Sequence, residues 1–163
     1  MARTHRGVPI RSADELVKAR RAAQMAAEVL AMIEPHVVPG VTTEALDQLC
    51  HDHIVNVQGA RPANVGYLGY PKTVLTSVNH VVCHGIPSPQ QVLKKGDIVN
   101  LDVTGIKDGW HGDSSRMFLV GECSIAAKRL CQVTYDAMWK GIMCVKPGAH
   151  LGDVGHAIQT FAE

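Results

Sequence analysis

Residues 97–120 constrain this chain more than any other stretch. From Asp97 the sequence runs Asp-Ile-Val-Asn-Leu-Asp-Val-Thr-Gly-Ile, rich in the apolar and β-branched residues a strand requires. Lys107-Asp108-Gly109 is a turn signal, since Asp-Gly is among the strongest hairpin dipeptides, and Trp110 to Val120 reads as a second strand. Folding the two strands about that turn brings Asp102 opposite, or diagonal to, Asp113. A two-residue loop at 107–108 or at 108–109 puts both carboxylates on one face of the sheet. Residues directly opposite on such a pair stand roughly 4.5–5.5 Å apart at Cβ. Like charges at that spacing repel, and Asp is disfavoured in strands. A cation removes both objections, and carboxylates from neighbouring strands commonly hold hard divalent ions. Two Asp on a wet hairpin would simply face water. Asp102, however, lies inside Ile-Val-Asn-Leu-Asp-Val-Thr, the pattern of an interior strand.

The rest of the chain sets the class. Its 163 residues, 46% hydrophobic and 19% charged, suit one domain with a real core and do not indicate disorder. A net charge of +1 gives no electrostatic case for nucleic-acid binding. The start, Met1-Ala2-Arg3-Thr4-His5-Arg6, is basic but short, and reads as a solvated tail rather than as a contact for the ribosome or another polyanion. No apolar run follows it, so neither a signal peptide nor a membrane span is expected, and a cytoplasmic location is. Cys50, Cys83, Cys123, Cys131 and Cys144 form an odd set without a CxxC pair. They read as reduced thiols, which argues against a structural zinc site.

Ser12-Ala13-Asp14-Glu15 is a capping box opening a helix, along which Leu16, Ala19, Ala23, Ala26, Leu30 and Ile33 form the expected buried stripe. Pro35 and Pro39-Gly40 end it. Thr42 or Thr43 caps a second helix, whose buried side is expected at Ala45, Leu46, Leu49, Cys50 and Ile54. His51 and His53 are two apart there, hence poor joint ligands, and are expected at or near the surface. Gly59, Pro62, Gly66, Gly69 and Pro71 then mark a loop holding Tyr67 and Tyr70, packed on the body or part of a pocket. Val74 to Val78 reads as a strand, Asn79-His80 as a turn, and Val81 to His84 as a returning strand broken by Gly85-Ile86-Pro87. His84 thus ends an apolar strand where a loop begins, a position that suits either structure or proton donation to a substrate carbonyl. His111 shares strand parity with Asp113, and packing is its expected role. Two further helices are expected, at about Ile125 to Met143 and from near Leu151 through Glu163. Val38-Pro39-Gly40-Val41 and Lys146-Pro147-Gly148-Ala149 each follow a long amphipathic helix and lead into another. This echo suggests the front part of a two-fold repeated protein.

Four runs then carry a family resemblance: Gly66-Tyr67-Leu68-Gly69-Tyr70-Pro71-Lys72, Ser77 through Pro87 (Ser-Val-Asn-His-Val-Val-Cys-His-Gly-Ile-Pro), Gly96 through Val103, and Asp108 through Phe118. Together they resemble the bacterial-type (type I) methionine aminopeptidases, and the likeness extends from about Ser12 onward. The resemblance implies an α+β "pita-bread" fold, related to creatinase, in which two similar halves enclose a dinuclear metal site. On that reading residues 1–163 are a single partial catalytic domain, comprising about the first half and the first helices of the second repeat. The implied activity is metal-dependent removal of the initiator methionine from nascent proteins with a small second residue. By motif position Asp113 would bridge two divalent ions (cobalt, manganese, iron or zinc) and Asp102 would chelate one. His84 would be catalytic and hydrogen-bond the substrate, while Tyr67 and Tyr70 would line the methionine pocket. Asn79 and Val81 match a backbone site for a monovalent cation. Asn64 and Leu75 stand where some relatives have cysteine.

The family uses five protein ligands. The remaining three, a His and two Glu, come from the family's second half; after Asp113 the only His and Glu here are Glu122, His150, His156 and Glu163, none in the family's His-Gly or Glu-Pro contexts. The 163-residue chain alone is therefore expected to be inactive, and to need its missing half or to self-associate. The competing readings are a non-enzymatic binding or chaperone protein of the same fold, and an X-Pro peptidase. Retention of both Asp102 and Asp113 speaks against the first, and the Gly-Tyr-x-Gly-Tyr-Pro-Lys run against the second.

Overall fold

Helix α1 (Ala13–Ile33) opens with the capping box its sequence predicts: Glu15 N donates to Ser12 Oγ at 3.3 Å, and Ser12 N donates to Glu15 Oε2 at 2.8 Å. This computed structural model describes residues 7–163, so the basic hexapeptide Met1–Arg6 lies outside the described residues. The chain divides into two units, residues 1–122 and 123–163.

In the first unit, α1 buries Ala22, Met25, Ala26, Val29, Leu30 and Ile33, a stripe with the helical period. Ala26, Leu30 and Ile33 were expected there, whereas Leu16 is 54% exposed and Ala23 is exposed as well. The cause lies in the sheet. Gly105 and Gly112 face each other across the hairpin beneath the helix. A Cβ at Gly112 would stand 1.8 Å from the Ala22 carbonyl oxygen, and one at Gly105 would stand 2.6 Å from the Met25 methyl carbon. Two positions without side chains thus admit Ala22 and Met25, and so fix the rotation of α1.

Helix α2 (Thr43–Asp52) is capped by Thr42, whose Oγ1 accepts from Ala45 N at 3.1 Å, and a π turn, His53–Val57, extends it. Its buried side is Thr43, Leu46, Asp47, Cys50 and Ile54. Ala45 and Leu49, expected inside, are exposed.

The sheet is antiparallel throughout. Strand β3 (Ile98–Lys107) pairs along one side with β4 (Trp110–Leu119), and along the other with β2 (Val74–Val78) and then the two-residue β1 (Arg61–Pro62). Asp108-Gly109 is the hairpin loop, with both residues at positive φ (50° and 80°), as an Asp-Gly turn of this kind requires. Val99, Leu101 and Val103 alternate inward and join Ala26, Val29, Leu46 and Ile54 in one core cluster. The intervening residues Asn100, Asp102 and Thr104 belong to the face turned away from that core.

No returning strand forms at Val81 to His84. This segment is irregular, and Val82 is 92% exposed. Asn79 and His84 both sit at positive φ (53° and 59°), which breaks extended pairing at each end. After the turn bond from Val81 N to the Val78 carbonyl at 3.1 Å, the chain returns to β2 at Gly85, whose carbonyl accepts from Thr76 N at 2.8 Å.

The second unit holds α3 (Ile125–Met143), capped by Ser124 Oγ on Ala127 N at 3.2 Å, and α4 (Leu151–Ala162). Gly141 lets the two helices approach, since a Cβ there would stand 2.7 Å from Ile158 Cδ1. The Pro-Gly echo holds at the level of backbone conformation: Gly40 (φ 96°) and Gly148 (φ 86°) are both left-handed between two helices. Among the described residues no helix is long and apolar enough to cross a membrane.

Candidate metal centre

The β3–β4 register fixes the carboxylate geometry. Asp102 pairs with Ser115, and Asp113 pairs with Thr104, so the two Asp are diagonal neighbours on the face turned away from the core. This is the arrangement a loop at 108–109 requires. On the other side of Asp102 stands Leu75 of β2, on the same face. His111 pairs with Ile106 and so shares that face with Asp113.

Asp102 is only partly accessible, and its Oδ1 is buried with no hydrogen-bond partner among the described residues. Burial pushes its carboxyl above the usual range. The neighbouring Asp113 adds to that shift, first by its charge, while His84 opposes it. Asp113 itself is exposed. A half-buried carboxylate with an orphaned oxygen, set beside a second carboxylate, is an unfavourable constellation in water alone. A divalent cation satisfies the orphaned oxygen and cancels the repulsion, so the pair fits a hard-metal ligand set of oxygen donors. The set is partial: among the described residues no group of three or more His, Cys, Asp or Glu side chains could hold a metal ion.

His84 is held at its corner by its neighbour. Gly85 lies so close to β2 that a Cβ there would stand 2.1 Å from the Thr76 carbonyl oxygen. Gly85 N also donates to Ser77 Oγ at 3.2 Å. The corner places His84 within electrostatic reach of Asp102. Tyr70 is close enough to feel Asp102 as well: its phenol is pushed up to about 12, first by burial, then by the charges of Asp47 and Asp102. Tyr67, by contrast, is 69% exposed at the start of a short helical turn, Tyr67–Gly69. The structure therefore brings Asp102, Asp113, His84 and Tyr70 together, and leaves Tyr67 at the periphery. Asn79 serves the fold through its side chain, donating from Nδ2 to Asp97 Oδ1 at 2.9 Å and accepting from Ile98 N at 3.1 Å.

Sequence reasoning passed over Asp47. It is 7% exposed, and its Oδ1 accepts from Thr73 N at 2.8 Å and Val74 N at 2.9 Å, anchoring the start of β2. His51 and Asn64 grip the same residue, through Thr73 Oγ1 at 2.9 Å and the Thr73 carbonyl at 3.0 Å. Asp47 lies four residues after Thr43 and three before Cys50, an acidic residue on the apolar stripe of α2. That misplacement was the available signal.

The mixed helix-and-sheet unit that carries the paired carboxylates has the pita-bread fold of the solved structures it superposes on. The chain belongs to metallopeptidase family M24, whose profile matches residues 17–163. It is 55% identical over 156 residues to the methionine aminopeptidase of Rickettsia prowazekii (strain Madrid E), an alignment covering 96% of this chain and 60% of that protein. The crystal structure of methionine aminopeptidase from the same organism superposes with a TM-score of 0.92 at 55% identity, covering 94% of this chain and 61% of that one. The Xaa-Pro dipeptidase of Bacillus anthracis shares the fold alone, at 22% identity and a TM-score of 0.80 over 93% of this chain and 41% of its own. The chain thus spans about three fifths of the length of the methionine aminopeptidase it matches.

Proposed function

We propose that, at the full length of its relatives, this protein is a metal-dependent exopeptidase removing N-terminal methionine from nascent chains with a small second residue. The observation that carries the reading is the partly buried Asp102, with its unpartnered Oδ1, set diagonally to Asp113. Membership of a metallopeptidase family and 55% identity to a methionine aminopeptidase support it. Asp102 and Asp113 would hold divalent metal, which supplies Lewis acidity and a water of lowered pKa when bound. Asp113, exposed and facing outward, suits a ligand shared between two ions, and the more buried Asp102 a chelating one. His84, outside the ligand set, would hydrogen-bond the peptide as charge develops at the scissile carbonyl. Tyr70 and Tyr67 would form the wall against the methionine side chain, Tyr70 inner and Tyr67 at the rim. The cellular setting that follows is cytoplasmic, with emerging polypeptides as substrates and the ribosome as neighbour. A monovalent cation at the Asn79 and Val81 backbone belongs to the same reading.

Two carboxylates are too few for a dinuclear site, so a polypeptide of these 163 residues alone would neither retain two ions nor cleave. Calorimetric metal titration of the full-length protein and its Asp113→Asn variant tests the ligand assignment. The variant is expected to lose most metal binding and essentially all cleavage of Met-Ala-Ser. Two ions bound with undiminished affinity would refute it. Full metal loading of the natural protein with no cleavage of any N-terminal methionine would favour the non-enzymatic binding protein instead.

A further inference from the structure

The Tyr70 hydroxyl does something a pocket wall does not need. It lies 2.8 Å from the Val74 carbonyl oxygen and 3.3 Å from that of Gly85, so one O–H is shared between two backbone acceptors. Val74 begins β2 and is locked in the ladder opposite Val103. Gly85 is the residue after His84, which itself sits in the left-handed region at φ 59°. A non-glycine residue holds that conformation only where its surroundings impose it. Three contacts do so here: Thr76 N to the Gly85 carbonyl, Gly85 N to Ser77 Oγ, and the Tyr70 hydroxyl.

We propose that Tyr70 is a positioning residue for His84, acting through its hydroxyl rather than its ring by tying the His84–Gly85 corner to the first residue of β2. The inference deepens the peptidase reading and rests on it for its catalytic consequence. Without the hydroxyl, two carbonyl oxygens converge with no donor between them. Carbonyl dipoles so placed repel, and the side free to yield is the irregular corner, because β2 is held along its length by β3. The phenol, pushed up to about 12, keeps its proton throughout the neutral range and so remains a donor. Asp47 stands one step further back, holding Thr73 N and Val74 N, so the anchor to which Tyr70 ties the corner is itself fixed from α2.

The decisive variant is Tyr70→Phe in the full-length protein, which keeps the ring and removes only the hydroxyl. Amide hydrogen exchange on the metal-free protein should show the segment Cys83–Ile86 exchanging about threefold to tenfold faster, the range one ordinary hydrogen bond commands. Val99–Val103 should be unchanged, which also reports that the fold is intact. Ser77→Ala, which removes the acceptor of Gly85 N, should loosen the same segment. On the manganese-loaded protein with Met-Ala-Ser, kcat should fall by a similar factor with KM within about twofold. In a His84→Ala background the Phe substitution should have no further effect on kcat, because the group it positions is gone. Unchanged exchange at Cys83–Ile86 overturns the link, and an undiminished loss of kcat in the His84→Ala background overturns the route through His84. If the natural protein cleaves no methionine, the peptidase reading falls by itself, and the exchange experiment still decides whether the hydroxyl holds the corner.

Discussion

Asp102→Asn should change the sign of its effect on stability when metal is added. In the metal-free protein Asp102 and Asp113 are diagonal like charges on adjacent strands. At the roughly 7–8 Å that separates diagonal strand neighbours, two unit charges repel by roughly 2 kcal/mol at an effective dielectric of about 20, and by under about 1 kcal/mol in water. Asp113 is exposed, so the lower end applies, and removing the charge should stabilise the metal-free protein by about 1 kcal/mol near pH 7. The pH dependence has a definite sign. Burial and Asp113 raise the folded carboxyl of Asp102 above its reference value of 3.8. Its contribution is therefore fully favourable below that value and is lost as pH rises through the raised folded one. The variant should flatten that fall. With manganese at a hundred times its Kd, the natural protein gains about 2.7 kcal/mol by mass action, whereas a site weakened a hundredfold gains only about 0.4 kcal/mol. The order should therefore reverse, with the natural protein ahead by about 1 kcal/mol. Urea denaturation midpoints with chelator and with manganese, at pH 5 and pH 7, provide the assay. A variant that is less stable without metal, or that gains as much from manganese as the natural protein, would refute the claim that this pair is held apart for a cation.

His84→Ala in the full-length protein should lower kcat on Met-Ala-Ser by about a hundredfold or more while metal content stays near that of the natural protein, because the role assigned is hydrogen bonding rather than ligation. Metal analysis beside the kinetics checks this, and loss of metal would make His84 a ligand. Asp47→Ala should destabilise the protein by about 2–4 kcal/mol, since it strips an acceptor from two buried amides at Thr73 and Val74, whereas Asp47→Asn should stay within about 1 kcal/mol. Urea midpoints decide, and equal losses for the two variants would show that the acceptor is not what matters. Gly112→Ala should cost about 3 kcal/mol or prevent folding, because the new methyl meets the Ala22 carbonyl at 1.8 Å, on a helix backbone that cannot move alone. A midpoint within experimental scatter of the natural protein would mean that α1 rides on the sheet more loosely than its geometry indicates.

The hairpin was legible because its signals agree. Alternation along Ile98 to Ile106 specifies which side chains face the core, and Asp108-Gly109 specifies the loop, so the diagonal relation of Asp102 and Asp113 follows from local chemistry. The bounds of α3 were legible for a similar reason, with Ser124 as cap and an amphipathic period up to Met143. The failures have a common origin in contacts between residues distant in sequence. The stripe of α1 is rotated by glycines about ninety residues away, and no periodicity within α1 announces them. Val81-Val82-Cys83 has the composition of a strand, but β2 already pairs with β3, and the turn conformations at Asn79 and His84 carry the chain out of register with its free edge.

The candidate site shows the same division. Its carboxylates sit on regular structure and could be placed from sequence pattern, whereas His84 and Tyr70 sit on irregular backbone that only hydrogen bonds define. A motif identifies these residue types without saying what aims them. The bonds that do so run from Asp47 to Thr73 and Val74, from Tyr70 to Val74 and Gly85, and from Gly85 to Ser77. Apart from Tyr70–Val74, four residues apart on non-helical backbone, these pairs are eight or more residues apart in sequence. The strained backbone at His84 is therefore explained by neighbours recruited from α2, the tyrosine loop and β2 together, and any one of them can be altered without touching the imidazole. Substitutions at Tyr70, Ser77 and Asp47 should accordingly be graded in their effect on the corner. The first two touch it directly, and Asp47 acts only through the strand on which both depend.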